Sequence, residues 1–409
     1  MLTLDRIYQA VHCLKDVVRT TDIIETTNIK DNCELYIKTE NLQKTGSFKV
    51  RGAYFKMSTL TDEQKKKGVI ACSAGNHAQG IALSAKEMGI KATIFIPSVA
   101  PISKIEATRK YGAEVIIVDG VYDDAYKSAV LYQKQTDGIF IHPFDDEDVI
   151  AGQGTIGLEL LSQIDNLDAV IIPIGGGGLI SGVAFAIKML NPKCKVYGVQ
   201  AEGAKSMRNS IENKQISHLS RVSTFADGIA VKTPGKITFE MVEKYVDEIV
   251  TVSDDEIATA ILTLIEQQKL VSEGAGAVAV ASVIFDKLPI QGKKVCALVS
   301  GGNIDVNILS KVINRGLLKS GRVSEIKIEM LDKPGQLKEV SAIISDMGAN
   351  VTKVRHNVGG ENTDINGCYL HISMETRNKE HFNDIKTSYQ QRRILYFRRN
   401  NINRTLNSI

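Results

Sequence analysis

Apolar and polar positions along this chain follow two periods, and each change of period marks a new element. Residues 4 to 18 place Ile7, Val11, Leu14 and Val18 at helical spacing, which predicts an opening amphipathic helix. Glu34 to Thr39 reads as a strand. A helix then opens around Lys49, with Ser47 as its expected N-cap and Gly46 supplying the turn. Strand-like runs follow at Val69 to Ala71, Ala92 to Ile96, Glu114 to Val118 and Phe140-Ile141. Helical runs separate them at Ala78 to Met88, Ile102 to Tyr111 and Val121 to Gln135. A long helix is expected over Val149 to Ile164, then a bare apolar strand over Ala169 to Ile174 and a helix over Ile180 to Leu190. Lys195 to Gln200 and Lys294 to Val299 read as strands, and Asp254 to Gln268 and Ala275 to Phe285 as helices.

Bare apolar strands alternating with helices predict an α/β fold with a largely parallel sheet covered on both faces. The number of such units predicts two open sheets. Past residue 320 the pattern changes. Val323 to Met330 alternates, with Ile326, Ile328 and Met330 on one side. Asp332-Lys333-Pro334-Gly335-Gln336-Leu337 turns into a helix carrying Leu337, Val340, Ser341, Ile344 and Met347 on one face, ended by Gly348-Ala349-Asn350. Val351 to Val358 and Gly367 to Glu375 read as a hairpin pair. His381 to Thr387 begins another helix. From Ser388 the chain is rich in Gln, Arg and Asn, has no acidic residue, and shows no apolar periodicity that would complete a sheet. A disordered basic tail or a replaced ending is the expectation there.

At 409 residues the chain has room for two or three domains, and its net charge of +3 gives no sign of a nucleic-acid partner. No apolar run is long enough to span a bilayer, and the first residues carry no signal-peptide pattern, so a cytoplasmic protein is expected. Six cysteines stand singly with no Cys-x-x-Cys pair, so neither a zinc site nor a disulfide framework is indicated.

In open α/β sheets, ligands bind where strands lead through loops into helices. Three such junctions carry unusual chemistry. In Ser73-Ala74-Gly75-Asn76-His77-Ala78-Gln79-Gly80, main-chain N–H groups and side-chain donors at a helix start suit a carboxylate, or form an ordinary capping turn. Gly175-Gly176-Gly177-Gly178-Leu179 allows close backbone approach to a single phosphate, or serves as a tight turn. It is no dinucleotide fingerprint, because the third glycine of that pattern falls on Ile180 or Ser181. Ser300, in Ser300-Gly301-Gly302-Asn303, either meets a ring nitrogen or caps a helix. Lys49, in the first turn of its helix, is either a solvated surface cation or an amine that the helix dipole favours as neutral, as a Schiff-base lysine requires. A phosphate site, an amine, a carboxylate loop and a polar group for a ring edge together suggest pyridoxal 5'-phosphate.

The run Gln43-Lys44-Thr45-Gly46-Ser47-Phe48-Lys49-Val50-Arg51-Gly52-Ala53 closely resembles the cofactor-lysine motif of the threonine dehydratases (threonine ammonia-lyases). These belong to the tryptophan-synthase-β-like, fold-type II group of pyridoxal-phosphate enzymes. Ser73 to Gly80 resembles that family's substrate-carboxylate loop, and Gly175 to Gly178 its phosphate loop. Ile141-His142-Pro143-Phe144-Asp145, Gly152-Gln153-Gly154-Thr155, Ala226 to Val231, Ser272-Glu273-Gly274-Ala275-Gly276 and Ser300 to Asn303 match in the same order.

The resemblance implies a catalytic domain over 1–320, with about 50–145 as its smaller subdomain. It implies that Lys49 carries the cofactor and takes the Cα proton, that Phe48 packs beside the cofactor, and that Asn76 binds its ring oxygen. Ser73, Gly75, Asn76 and His77 are implied to grip the substrate carboxylate. Gly175, Gly176, Gly177, Gly178 and Leu179 are implied to cradle the phosphate, and Ser300 to face the pyridine nitrogen. A neutral hydroxyl there makes the ring a weaker electron sink, which favours β-elimination over a long-lived carbanion. The implied reaction is deamination of L-threonine to 2-oxobutanoate and ammonia, and of L-serine to pyruvate. Serine racemase or serine dehydratase is the rival enzyme reading.

Glu273 is either a carboxylate at the site or a cap before the following helix. Glu202 lies where related racemases bind a cation, but Arg208 stands where their second acid falls, which leaves a monovalent cation rather than a tight divalent site. The β-α-β-β order with Asp-Lys-Pro-Gly resembles the ACT amino-acid-sensing domain. Residues 321–409 are therefore an expected regulatory domain with an amino-acid or nucleotide effector. A non-enzymatic, ACT-gated binding protein is the alternative from another class. A homodimer or homotetramer is implied by resemblance.

Overall fold

The computed structural model describes residues 2–358, 366–391 and the backbone of 395–397. It divides into two units, Met1–Leu309 and Ser310–Ile409. The division falls inside a helix, ahead of the change in composition at residue 320.

In chain order the first unit runs α1 (Leu4–Leu14), β1 (Ile23–Thr26), β2 (Glu34–Lys38), α2 (Lys49–Ser58), α3 (Asp62–Lys67), β3 (Val69–Cys72), α4 (Asn76–Met88), β4 (Ala92–Pro97) and α5 (Ile102–Lys110). It continues with β5 (Glu114–Val118), α6 (Tyr122–Thr136), β6 (Ile139–Phe140), α7 (Glu147–Gln163), β7 (Ala169–Pro173), α8 (Gly178–Leu190), β8 (Lys195–Ala201) and α9 (Ser206–Glu212). Last come α10 (Lys236–Tyr245), β9 (Glu248–Val252), α11 (Asp254–Thr263), α12 (Gly274–Ile284) and β10 (Lys294–Leu298). α13 (Val306–Ser320) crosses the division.

Two sheets form, as the pattern predicts. The larger has the order β1-β2-β10-β7-β8-β9, parallel except for β1 against β2. The smaller has the order β5-β4-β3-β6 and is parallel throughout. Every residue of β3, β4 and β7 is buried, which is why these strands read as bare apolar runs. Each sheet has its own core, with Val170, Ile172, Val183 and Val196 in the larger and Val69, Ala71, Ile81 and Ile94 in the smaller. α2 crosses α7 at Gly52 and Gly152. A Cβ on Gly152 would stand 2.6 Å from the Arg51 carbonyl oxygen, so the helix that begins at Lys49 is seated by backbone contact.

Several boundaries differ from the sequence reading. α1 ends at Leu14 because the chain turns at Asp16, whose φ is 67°. The helix from Asp254 is α-helical only to Thr263 and finishes as a π-turn over Leu264–Gln268, closed by Lys269 at φ 58°. Ser47 is not the N-cap of α2. Phe48 holds that position without a side-chain bond, and Ser47 is instead drawn into a β-bridge with Gly301. β1, β9, α3, α9, α10 and α13 were not read from the pattern. Among the described residues no helix is long and apolar enough to cross a membrane.

In the second unit, β11 (Val323–Leu331), α14 (Gln336–Asp346), β12 (Asn350–Val358), β13 (Gly367–Glu375), α15 (Lys379–Gln391) and β14 (Leu395–Phe397) form an antiparallel sheet of order β12-β13-β11-β14. The sheet is therefore completed, against expectation. α15 continues past Ser388 because Phe382, Ile385 and Tyr389 share one buried face, and Tyr389 Oη donates to the Val340 carbonyl at 3.0 Å. β14 then pairs Tyr396 with Ile328. The expected tail beyond Phe397 lies outside the described residues.

Candidate active site

The loop before α2 and the loop after β10 are stitched together. Phe48 N–H donates to the Ser300 carbonyl at 3.2 Å, and Gly302 N–H donates to the Gly46 carbonyl at 2.8 Å. Gly46 has φ 71°, and a Cβ there would collide with Asn303. This places Lys49 next to Ser300. The Lys49 Nζ donates to the Pro143 carbonyl at 2.8 Å and stands 5.3 Å from the centre of the Phe48 ring. Burial lowers its pKa to about 8, against the opposing pull of Glu273. An amine with that pKa keeps a far larger neutral, nucleophilic fraction near physiological pH than an ordinary lysine does.

The Ser73–Gly80 segment leads from β3 into α4. Gly75 N–H donates to Ser73 Oγ at 3.2 Å, and Gly75 occupies the N-cap position. Asn76 is held at both ends of its amide. Its Nδ2 donates to Glu273 Oε1 at 2.5 Å, and its Oδ1 accepts from Asn303 Nδ2 at 2.8 Å. Asn303 also donates to the Thr45 carbonyl at 2.7 Å, so one amide ties the Lys49 loop to the Asn76 loop. The His77 ring is engaged with the chain that follows β6. It is buried, its Nε2 lies 3.0 Å from the Ile141 carbonyl, and burial together with Lys49 pushes its pKa down to about 3. A neutral ring that donates through Nε2 fits these facts. His77 contributes to the loop through its main chain.

Glu273 stands at the N-cap of α12 but makes no capping bond, and its side chain turns into the site. Burial, reinforced by Asp227, raises its pKa to about 7, against Lys104, Asn76 and Lys49. Asp227 is itself paired with Lys104. Ser300 is buried, and its Oγ makes only a long 3.5 Å contact with the Ala275 carbonyl. Among the described residues the buried Ser47 Oγ has no hydrogen-bond partner.

Gly175–Gly178 follow β7 and lead into α8. Gly177 has φ 100°, and a Cβ there would lie 2.7 Å from Met207 and Thr238. A Cβ on Gly176 would enter the Phe144 ring, and one on Gly178 would lie 2.9 Å from the Phe144 backbone. The loop has no room for side chains. The N–H groups of the first turn of α8 lack intrahelical acceptors, as at any helix start, and so suit an anion. Thr238 Oγ1 donates to the Gly176 carbonyl at 2.6 Å and fixes that peptide's orientation. Thr238 is fixed in turn by Asp145, whose carboxylate accepts from the N–H groups of Lys236, Ile237 and Thr238 at 3.0, 2.9 and 3.2 Å.

Glu202 lies apart from these groups, exposed on a turn after β8, and among the described residues it joins no cluster of potential metal ligands. Asn303, Thr238 and the side chain of Asp145 were not assigned roles from the sequence. Asn303 and Asp145 lie inside matched motifs, and position in a motif is the signal that could have singled them out.

The described geometry agrees with the relationships of the chain. Residues 14–301 match the family model for pyridoxal-phosphate dependent enzymes. The L-threonine ammonia-lyase of Thermotoga maritima is 50% identical over 388 residues, 94% of this chain and 96% of that protein. The catabolic L-threonine dehydratase of Escherichia coli is 44% identical over 315 residues, 76% of this chain and 96% of that one. Among solved structures, a processed threonine deaminase of Solanum lycopersicum has a TM-score of 0.72 at 38% identity, covering 77% of this chain and 94% of that chain. Maize serine racemase has a TM-score of 0.73 at 36% identity, covering 77% of this chain and 98% of that chain. The chain belongs to the pyridoxal-phosphate-dependent enzyme family.

Proposed function

We propose that the protein is a threonine ammonia-lyase, converting L-threonine to 2-oxobutanoate and ammonia and accepting L-serine as a second substrate. The observation that carries this reading is the Lys49 amine, its pKa lowered by burial and set beside Ser300, with the Asn76–Glu273 pair acting on it from across the site. Relatives named for threonine deamination at 44–50% identity support the choice of substrate.

The residues present fit pyridoxal phosphate. Gly175–Gly178 are packed so closely on Phe144, Met207, Thr238 and Ile229 that only bare backbone can face an anion there. Of the buried Ser47 and Ser300 hydroxyls, the first has no partner and the second one long contact, to Ala275. Bound cofactor supplies an electron sink for the pair left when the Cα proton departs. Lys49 would hold the cofactor, and its Nζ is the base that would take that proton. The N–H groups of Gly175–Leu179 hold the phosphate. Asn76 presents its amide toward the ring, kept in place by Glu273 and Asn303. Ser300 offers a neutral hydroxyl to the ring edge and imposes no positive charge on it. The main chain of Ser73–His77 takes the substrate carboxylate, and burial around Glu273 keeps bulk water from the reacting carbon. The β-hydroxyl would leave as water on gaining one proton, matched by the one Lys49 takes from Cα. A water then consumed in hydrolysis of the resulting enamine would release 2-oxobutanoate and ammonia.

The second unit is proposed to be a regulatory domain of the ACT kind. Its β-α-β-β-α-β order and the Asp332-Lys333-Pro334-Gly335 turn, with Gly335 at φ 93°, support this. The Thermotoga maritima relative matches over more residues than the first unit contains, so the alignment extends into the second. We also propose a homo-oligomer and a cytoplasmic site of action.

The deciding experiment incubates the purified holoenzyme with L-threonine or L-serine, measuring 2-oxoacid release and enantiomer composition together. Release of 2-oxobutanoate faster than pyruvate supports the reading. D-serine appearing without any 2-oxoacid replaces it with a racemase.

Two further outcomes are expected. Neutral Lys49 is the form that captures the cofactor, and its depressed pKa makes that form dominant above about 8. The rate of cofactor capture by the apoenzyme therefore rises with pH and levels off above about 8, as read by stopped-flow absorbance. A rise that continues to pH ~10, the ordinary lysine value, contradicts a buried amine. Thr238→Val removes the hydroxyl that orients the Gly176 peptide. It should weaken cofactor binding about fivefold, the size of one hydrogen bond of about 1 kcal/mol, with kcat at saturating cofactor nearly unchanged. Equilibrium titration with pyridoxal phosphate checks it.

A further inference from the structure

Outside the catalytic unit, and among the described residues, one group of three potential metal ligands stands close together: Asp332, His356 and Cys368. Their ligand atoms all lie within 4.8 Å of one another.

The sheet register explains the grouping. Cys368 pairs with Met330 on β11 and with Val358 on β12. Its side chain shares a strand face with Leu370, Ile372 and Met374, which belong to the apolar core of this unit. The thiol thus sits buried, 1% exposed, at the end of that core. His356 pairs with Leu370, which puts it one diagonal step from Cys368 on the neighbouring strand. Asp332 follows β11, and its N–H donates to the Asn366 carbonyl at 2.8 Å, just ahead of β13. Three strands therefore deliver a thiol, an imidazole and a carboxylate to one corner of the sheet.

The separations suit a tetrahedral ion. Bonds of about 2.0–2.3 Å to zinc set distances of about 3.3–3.6 Å between neighbouring ligands. His356 Nε2 and Asp332 Oδ1 are already 3.5 Å apart. The Cys368 thiol has little more than about 1 Å to close, which a change of side-chain torsion supplies. Sulfur and imidazole select a borderline-soft ion over calcium or magnesium. Both the histidine and the aspartate are partly exposed, so an ion can enter from solvent and keep a water as its fourth ligand.

We propose that Asp332, His356 and Cys368 form a binding site for a zinc-class divalent cation in the second unit. Binding displaces the thiol proton of Cys368 to solvent and involves no change of oxidation state. The ion bridges the turn that starts at Asp332 to β12 and β13. It thereby fixes the Asp332–Gly335 approach to α14. The site is independent of the reaction proposed above. Without a metal, the same atoms form only an exposed His–Asp contact of little worth beside a buried thiol.

The test uses the full-length holoenzyme, freed of metal by a chelator and titrated with Co²⁺ against the metal-free holoenzyme as the optical blank. A thiolate-to-cobalt charge-transfer band that saturates at one equivalent and is displaced by Zn²⁺ is the expected result. Cys368→Ser should remove the band. His356→Gln changes a partly exposed side chain, so folding is not at stake, and it should weaken Co²⁺ binding at least about tenfold. The proposal is overturned if no thiolate band appears, or if His356→Gln binds Co²⁺ as tightly as the parent. A band that survives Cys368→Ser assigns the thiolate to another cysteine and overturns it equally.

Discussion

Lys49→Ala is expected to lower kcat for L-threonine by about 10³-fold or more, while the protein remains folded. The size follows from two losses at one atom. A positioned base contributes about 10²–10⁴-fold, and the covalent attachment that aligns the cofactor disappears with it. Folding should be spared because the Lys49 Nζ makes a single hydrogen bond, to the Pro143 carbonyl, and a partly buried amine is costly to keep. The visible absorbance of lysine-bound cofactor should vanish, although the glycine loop can still hold the phosphate. Equilibrium dialysis should therefore find residual, weakened binding. A small primary amine added to the variant should restore part of the activity, because it can occupy the space of the missing side chain and take the same proton. Lys49→Ala protein that keeps both the absorbance and 2-oxobutanoate formation would remove Lys49 from the mechanism.

The sequence made the site's members visible but not their orientations. β3, β4 and β7 were readable because burial on both faces leaves them uniformly apolar. The loops that follow β3, β7 and β10 could be picked out because glycine and asparagine clusters are unusual after such strands. β1 and β9 escaped because each is a strand of four or five residues at the edge of the larger sheet, with at most two of them fully buried, too short a run to stand out from its surroundings. Ser47 looked like a helix cap on local grounds. A β-bridge to Gly301, from the far end of the unit, overrides that preference, and no local rule contains it. His77 is implied as a carboxylate contact only by its place on the Ser73–Gly80 loop. In the first turn of α4, successive residues point about 100° apart, so the neighbour of a site residue naturally faces the core. The ending of the second unit was missed for a different reason. Phe382, Ile385 and Tyr389 do mark one helical face, but the surrounding Gln and Arg residues mask it.

Arg51→Ala should destabilise the first unit by about 3–5 kcal/mol, the usual result of leaving a buried charge without its partner. Arg51 is 1% exposed and forms bidentate pairs with two carboxylates. Its guanidinium meets Glu40 at 2.8 and 2.9 Å and Glu159 at 2.6 and 3.0 Å. Lys38, also buried, donates to Glu159 at 2.6 Å, so two cations balance two carboxylates. Burial disfavours every charge in this group, but Arg51, with help from Thr21 and Lys38, holds the Glu40 carboxyl below its ordinary value. Because that folded pKa is depressed, the stabilisation is fully present above the unfolded value of ~4.3 and is lost as pH falls through the folded value. Arg51→Ala should therefore unfold at lower urea, read by circular dichroism, and its deficit should shrink toward acid pH as Glu40 becomes protonated. Adding Glu40→Gln to Arg51→Ala should recover part of the loss, since a neutral amide is cheaper to bury than an unpaired carboxylate. The network also bears on catalysis. Arg51 lies two residues beyond Lys49 on α2, while Lys38 and Glu40 flank the end of β2 and Glu159 lies on α7. The four charges fix the entry of α2 against the larger sheet, and with it the Lys49 Nζ. A single variant within ~1 kcal/mol of the parent would show that the packing at Gly52 and Gly152 seats the catalytic helix without help from this ion network.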